Sequence, residues 1–224
     1  MALVSVIIPS YNRWKFLQRA LKSVFNQTYQ NVEIIVIDDC STQQEYIDYN
    51  ENHSLLIEPK PKWIRLPQNL RHKHKVTHTQ GLTRNEGIAI AQGEYLAFLD
   101  DDDFWAHTKL EKQMAKMLQN PSCLMSFTNG YRFPYDNQLF FMQSLPEIFK
   151  RQDIEQTNYI INSAVVIQKK LVVDLGGFRV VPGMEDYDLW KRAMEHTNCL
   201  YLAEPLMCYD MNHGNGIYYN DMAK

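Results

Sequence analysis

Residues 94–103 read Glu94-Tyr-Leu-Ala-Phe-Leu99-Asp100-Asp-Asp-Asp103, an apolar run that passes directly into four consecutive aspartates. A short, almost wholly apolar run of this kind reads as a strand buried on both faces. Two more runs share its texture, residues 3–8 (Leu-Val-Ser-Val-Ile-Ile) and 32–37 (Val-Glu-Ile-Ile-Val-Ile). Between them the pattern turns helical. Trp14, Leu17, Leu21, Val24 and Phe25 share one helix face after Ser10-Tyr-Asn-Arg13, and a second helix is expected over residues 82–91. Strand and helix in alternation imply a parallel α/β sheet. A helix over residues 108–118 turns Leu110, Met114, Met117 and Leu118 inward, and Asn120-Pro121 stops it.

Beyond residue 121 the texture changes. Segments 122–127, 138–142 and 162–168 read as strands, with Pro134 and Pro146 in the connections and an amphipathic piece over 146–151. This half is expected to build a mixed edge and the rim of the site. No repeat or low-complexity linker divides the chain, and 224 residues can bury roughly 70% of their unfolded surface around one core. One domain is expected, with a first half over 1–103, a second over 104–213 and a tail over 214–224.

Composition excludes several classes. With 45% hydrophobic and 22% charged residues the chain is neither disordered nor fibrous. A mean hydropathy of −0.40 and the lack of an apolar run near ~18 residues argue against a membrane span. Met1-Ala-Leu-Val-Ser-Val-Ile-Ile-Pro9 has no basic segment ahead of its apolar run, so no signal peptide is expected. Cys40, Cys123, Cys199 and Cys208 lie far apart, which fits a reducing compartment and a cytoplasmic protein. The net charge of −3 hides two patches: the aspartate run, and a basic stretch holding Lys60, Lys62, Arg65, Arg71, Lys73 and Lys75. That stretch reads as a solvated loop, with phosphate contact or attraction to an anionic surface as its functional alternative. No nucleic-acid-binding motif accompanies it. His72, His74 and His78 make a poor zinc site, because Lys73 and Lys75 would repel a cation.

In an open parallel sheet, ligands bind beyond the carboxyl ends of the strands. Three polar clusters sit there: Pro9-Ser-Tyr-Asn-Arg13, Asp38-Asp39-Cys-Ser41 and Asp100-Asp-Asp-Asp-Phe-Trp105. Four adjacent carboxylates repel one another unless solvent or a cation neutralises them. Mg²⁺ or Mn²⁺, bridging a carboxylate pair and a substrate diphosphate, would do so. A solvated helix-capping turn is the bland alternative, and the buried strand directly before the run speaks against it. A second acidic cluster, Glu185-Asp186-Tyr187-Asp188, opens a helical pattern in which Tyr187, Trp190 and Met194 share a face. The dipole at a helix start keeps such an aspartate ionised near neutrality, where it can act as a general base. Trp105 and Trp190 read as packing residues, with an acceptor-lining role open.

Together these motifs resemble family 2 glycosyltransferases. The resemblance rests on Val4–Asn12, Val36-Ile-Asp-Asp-Cys-Ser41, Thr83-Arg-Asn-Glu-Gly87, residues 91–103, Gly176-Gly-Phe178 and Glu185-Asp-Tyr-Asp-Leu-Trp190, which occur in the family's order between residues 3 and about 213. It implies an inverting enzyme of the GT-A fold: one Rossmann-like α/β domain with a mainly parallel sheet flanked by helices and a smaller mixed β region. It implies a nucleotide-diphosphate sugar donor, a UDP-sugar as the family expectation, and a hydroxyl of a glycan, glycoprotein or glycolipid as acceptor.

By the same resemblance Pro9, Tyr11, Asp38 and Asp39 surround the base and ribose, and Arg84 contacts nucleotide or phosphate. Asp102 is the principal metal ligand, and Asp100 faces ribose or metal. Asp101 takes the variable position of the Asp-x-Asp motif, and Asp103 holds the sugar or the loop. Asp186 is the general base, supported by Glu185. His213, in Tyr209-Asp-Met-Asn-His213, matches a histidine placed near the metal and diphosphate. A sugar-phosphate nucleotidyltransferase would need a glycine-rich loop after the first strand, where Pro-Ser-Tyr-Asn-Arg stands instead. A non-catalytic nucleotide-sugar binder should lack the base or the metal aspartates, and both are present. Peripheral association with a membrane stays open.

Overall fold

The computed structural model describes residues 1–52, 60–133, 139, 145–155 and 157–211. Their elements run β1 (Val4–Ser10), α1 (Trp14–Phe25), β2 (Val32–Asp38), α2 (Gln44–Asn52), β3 (Lys62–Arg65), α3 (Leu70–His74), α4 (Gln80–Ile90), β4 (Tyr95–Phe98) and β5 (Phe104–Trp105). The chain continues through α5 (Lys109–Gln119), β6 (Met125–Phe133), β7 (Ile148–Phe149), β8 (Val166–Gln168), α6 (Lys169–Asp174), α7 (Glu185–Ala193) and β9 (Cys199–Asp210). Two 3-10 turns, Arg151–Ile154 and Asn162–Ala164, precede β8.

One sheet holds the strands in the order β3-β2-β1-β4-β8-β6-β9-β5, with β7 paired to β9. The first four are mutually parallel. β8 joins β4 and β6 antiparallel, while β6 and β9 are parallel. The apolar runs form the centre because both faces are covered: Val4, Val6, Ile7, Ile8 and Ile35 to Ile37 are wholly buried. From one face α1 contributes Trp14, Leu17, Ala20, Leu21 and Val24. Helix α4 packs closely through Gly87, where a Cβ would stand 2.6 Å from Ile7 Cγ2. Pro9 is tolerated in this central strand for a geometric reason. The Ile7 carbonyl accepts from Leu99 N–H at 3.1 Å, so Pro9, two residues on, turns the same way but past the last β1–β4 pair.

Some expectations need correction. The basic stretch is no loop: it contains β3 and α3. The strand is concealed because it is an edge whose residues alternate in exposure, with Lys62 paired to Glu33 and Arg65 to Asp38. Segment 162–168 begins as a 3-10 turn before β8, and 146–151 holds β7 and the start of another turn. Leu118 is exposed, because it lies about 80° round from Leu110 at 3.6 residues per turn, off the stripe of Leu110, Met114 and Met117. Of 138–142 only Leu139 is described, in a bridge to Tyr131. The expected tail lies outside the described residues. No helix among them is long and apolar enough to cross a membrane.

Candidate active site

Adjacent parallel strands β2, β1 and β4 release their three polar loops at one end of the sheet. Side chains stitch the loops together. Asn12 takes a left-handed φ of 54°, which asparagine tolerates, and its Oδ1 accepts from Thr42 N–H at 2.7 Å and Gln43 N–H at 3.0 Å. Tyr11 remains 38% exposed at the mouth, whereas Pro9 is buried within β1.

Asp38 and Asp39, expected around the base and ribose, are both buried and engaged within the protein. Asp38 accepts from Ser41 N–H and from Arg65, each at 2.8 Å. Asp39 accepts from Leu70 N–H at 2.8 Å and from Asn69 at 3.1 Å. Burial raises its pKa to about 6, with the Leu70 N–H opposing the rise. Both acids thereby brace the ends of β2, β3 and α3.

The aspartate run is neutralised mostly by arginines. Asp101 takes a 2.6 Å hydrogen bond from Ser10 Oγ and a 3.2 Å contact from Arg13. Burial, then the neighbouring Asp102 charge, push its pKa up to about 7, with Arg13 opposing them. Asp102 pairs with Arg13 at 2.5 Å, and Arg19 reaches its carbonyl at 2.5 Å and also pairs with Asp210. Asp103 is fully buried and accepts from Asp210 N–H at 3.0 Å, with the Ser163 hydroxyl beside it. Burial, then the neighbouring Asp102 and Asp100 charges, hold its carboxyl well above the usual range. Asp100 is the most open of the four, with its side chain 30% exposed and both of its carboxylate contacts on Oδ1.

Carboxylates at Asp100 and Asp102 are hard oxygen donors. Among the described residues no three His, Cys, Asp or Glu side chains group to hold an ion by themselves. Two carboxylates completed by diphosphate and water fit Mn²⁺ or Mg²⁺, which commonly bind in that way. His213 lies outside the described residues.

Glu185 and Asp186 open α7. That helix start is fixed by Arg192, which pairs with Asp188 at 2.6 Å and donates to the Leu175 and Gly177 carbonyls. Asn85 in turn binds both backbone groups of Phe178, beside Gly177 with its φ of 71°. Asp186 accepts from Tyr187 N–H at 2.6 Å. The expected lowering of its pKa by the helix start is outweighed: burial, then Glu185, raise it to about 6, while Arg84 pulls the other way. At neutral pH it is still mainly ionised.

Arg84, expected at nucleotide or phosphate, is enclosed. Its Nη2 lies 2.5 Å from Asp100 Oδ1 and its Nη1 3.3 Å from Glu185 Oε1. It therefore joins the two acidic clusters. Trp105 and Trp190 are buried, which assigns both to packing and removes them as acceptor-lining candidates. Sequence reasoning missed Arg13 and Arg19 as the counter-charges of the aspartate run. The signal was present, since four adjacent acids demand cations and Arg13 follows Pro-Ser-Tyr-Asn directly.

Residues 5–172 match the profile of the family described as Glycosyl transferase family 2. An "Uncharacterized glycosyltransferase" of Haemophilus influenzae is 42% identical over 123 residues, covering 54% of this chain and 44% of that protein. The Escherichia coli protein named UDP-Glc:alpha-D-GlcNAc-diphosphoundecaprenol beta-1,3-glucosyltransferase WfaP is 30% identical over 190 residues, covering 85% of this chain and 69% of its own. The chain spans between 19% and 54% of the length of four curated relatives it matches, the Haemophilus influenzae protein among them. Among solved structures, Staphylococcus aureus TarS 1-349 in complex with UDP-GlcNAc superposes with a TM-score of 0.75 at 22% identity, covering 95% of this chain and 60% of that one. The fold is thus that of the GT-A glycosyltransferases.

Proposed function

Since the chain belongs to glycosyltransferase family 2, we propose that it transfers a sugar, with inversion, from a nucleoside-diphosphate donor to a hydroxyl of a glycan, glycoprotein or glycolipid. The observation that carries this reading is the Arg84 bridge, one enclosed guanidinium paired with Asp100 of the strand-end acids and with Glu185 beside Asp186. Donor chemistry and acceptor chemistry thereby share one framework. UDP is the preferred nucleotide, supported by the relative named as using UDP-Glc and by the fold neighbour solved with UDP-GlcNAc.

In this reading the first half, 1–103, holds the donor, with Pro9, Tyr11, Asp38 and Asp39 forming or bracing the nucleotide pocket. Asp101 and Asp103 keep the acid loop in place. The second half, 104–213, supplies acceptor contacts and the base. Asp186 accepts the proton of the acceptor hydroxyl, the oxygen attacks the anomeric carbon from the face opposite the nucleotide, and the bond to the diphosphate breaks. Glu185 and Arg84 hold that carboxylate's surroundings fixed. Mn²⁺ or Mg²⁺, held by Asp100 and Asp102, would stabilise the charge of the departing diphosphate. Use of nucleotide sugars places the work in the cytoplasm, with peripheral contact to a membrane where the acceptor is lipid-linked. Transfer and donor hydrolysis measured across UDP-, GDP- and dTDP-sugars test the reading. It expects turnover with at least one UDP-sugar and metal, and no turnover with any of the panel would overturn it.

A further inference from the structure

We propose that the buried turn Asn162–Ala164 positions the Asp100 carboxylate for the donor, with Asn162 and Ser163 as positioning residues. The placement follows from sheet register. β4 and β8 pair antiparallel with Ala97 opposite Val166, so continuing the pairing by three residues sets Asp100 opposite Ser163. The side chains meet accordingly. Asp100 N–H donates to Ser163 Oγ at 3.0 Å, and Asn162 Nδ2 donates to Asp100 Oδ1 at 3.2 Å, the same oxygen that Arg84 holds. Asn162 is 4% exposed and Ser163 is wholly buried.

Amide orientation at Asn162 is dictated by that carboxylate. Its Oδ1 is buried without a hydrogen-bond partner among the described residues, yet turning the amide over would set oxygen against oxygen. With Oδ1 of Asp100 held by two donors, Oδ2 is the oxygen left for the cation. The turn is itself anchored from behind. Trp105 Nε1 donates to the Ser163 carbonyl at 2.7 Å, and Gln113 donates to the Ala164 carbonyl at 3.0 Å. Lys109, also fully buried, donates to Gln113 Oε1 at 2.7 Å. A rigid scaffold of strand, turn and α5 thus backs one carboxylate of the loop.

This inference rests on the reading of Asp100 as a donor-side acid, and its test separates the two. UDP binding is measured by calorimetry with Mn²⁺ and again in EDTA, for the wild type, Asn162→Ala, Ser163→Ala and Asp100→Asn, beside thermal unfolding of each. Loss of an outer partner of a metal-binding carboxylate weakens metal-dependent affinity roughly 10- to 100-fold. Asn162→Ala and Ser163→Ala should show that loss with Mn²⁺ and bind UDP unchanged in EDTA, a split that a general loss of structure would not give. Wild-type affinity in both turn variants with weakened binding in Asp100→Asn overturns the positioning role alone. Wild-type affinity in Asp100→Asn overturns the donor-site reading as well. If Asn162→Ala does not fold, Ser163→Ala decides by the same comparison. If neither folds, the turn is purely structural and the inference fails.

Discussion

Arg84 Nη2 stands 2.5 Å from Asp100 Oδ1, and its guanidinium is enclosed by protein. Removing one partner from a fully buried charge group costs about 3–5 kcal/mol, and the partial exposure of Asp100 and its remaining contact with Asn162 set the cost here toward or below the lower end of that range. Arg84→Met should lower unfolding free energy by that order, while Arg84→Lys, which keeps a charge but cannot span Asp100 and Glu185 together, falls between. Urea unfolding of the two variants checks the ranking.

Activity should carry an acidic limb from Asp186. Burial raises its pKa to about 6 in the unliganded protein, and only its ionised form accepts a proton, so kcat/KM falls as pH drops through about 6. Glu185→Gln removes a neighbouring negative charge that favours the protonated form. The limb should then move to lower pH, as a pH–rate profile will show.

Lys109 is fully buried, and burial holds its ammonium well below the usual value of 10.5. The unfolded chain therefore binds a proton that the folded chain does not, between the lowered value and 10.5. Over that window this residue makes stability rise with pH by up to about 1.4 kcal/mol per unit. Lys109→Met should remove that increment, so the difference in unfolding free energy between wild type and variant changes with pH in alkaline solution. Parallel slopes would contradict the burial argument.

Much of this was legible in the sequence. Runs 3–8, 32–37 and 94–99 announced strands because both of their faces are covered, and their polar sequels announced the site. The edge strand β3 was hidden by Lys62 and Arg65, whose charges are taken up by Glu33 and Asp38 on β2. β9 was hidden because its twelve residues include Glu204 and Pro205, where its pairing with β6 shifts register. Within the site, the acids formed motifs but their partners did not. Arg13 meets Asp102 across 89 residues and Asn162 meets Asp100 across 62, separations that only the folded sheet closes.

Metal dependence gives a separate test. Mn²⁺ with UDP should raise the melting temperature by linkage, worth about 2.7 kcal/mol at a ligand concentration a hundred times its Kd. Asp102→Asn should lose most of that gain, and EDTA should reduce it in the wild type to what metal-free UDP binding gives. A UDP-induced shift indifferent to metal would remove the cation from the account.

The most direct test of the central claim sets binding against turnover in Asp186→Asn. UDP affinity with Mn²⁺ is measured by calorimetry, and sugar transfer or donor hydrolysis by product release. Loss of a general base should lower turnover about 10²- to 10⁴-fold while UDP affinity stays within a few-fold of wild type. A variant that turns over as fast as the wild type would contradict Asp186 as the base and, with it, the account of how the two acidic clusters share the reaction.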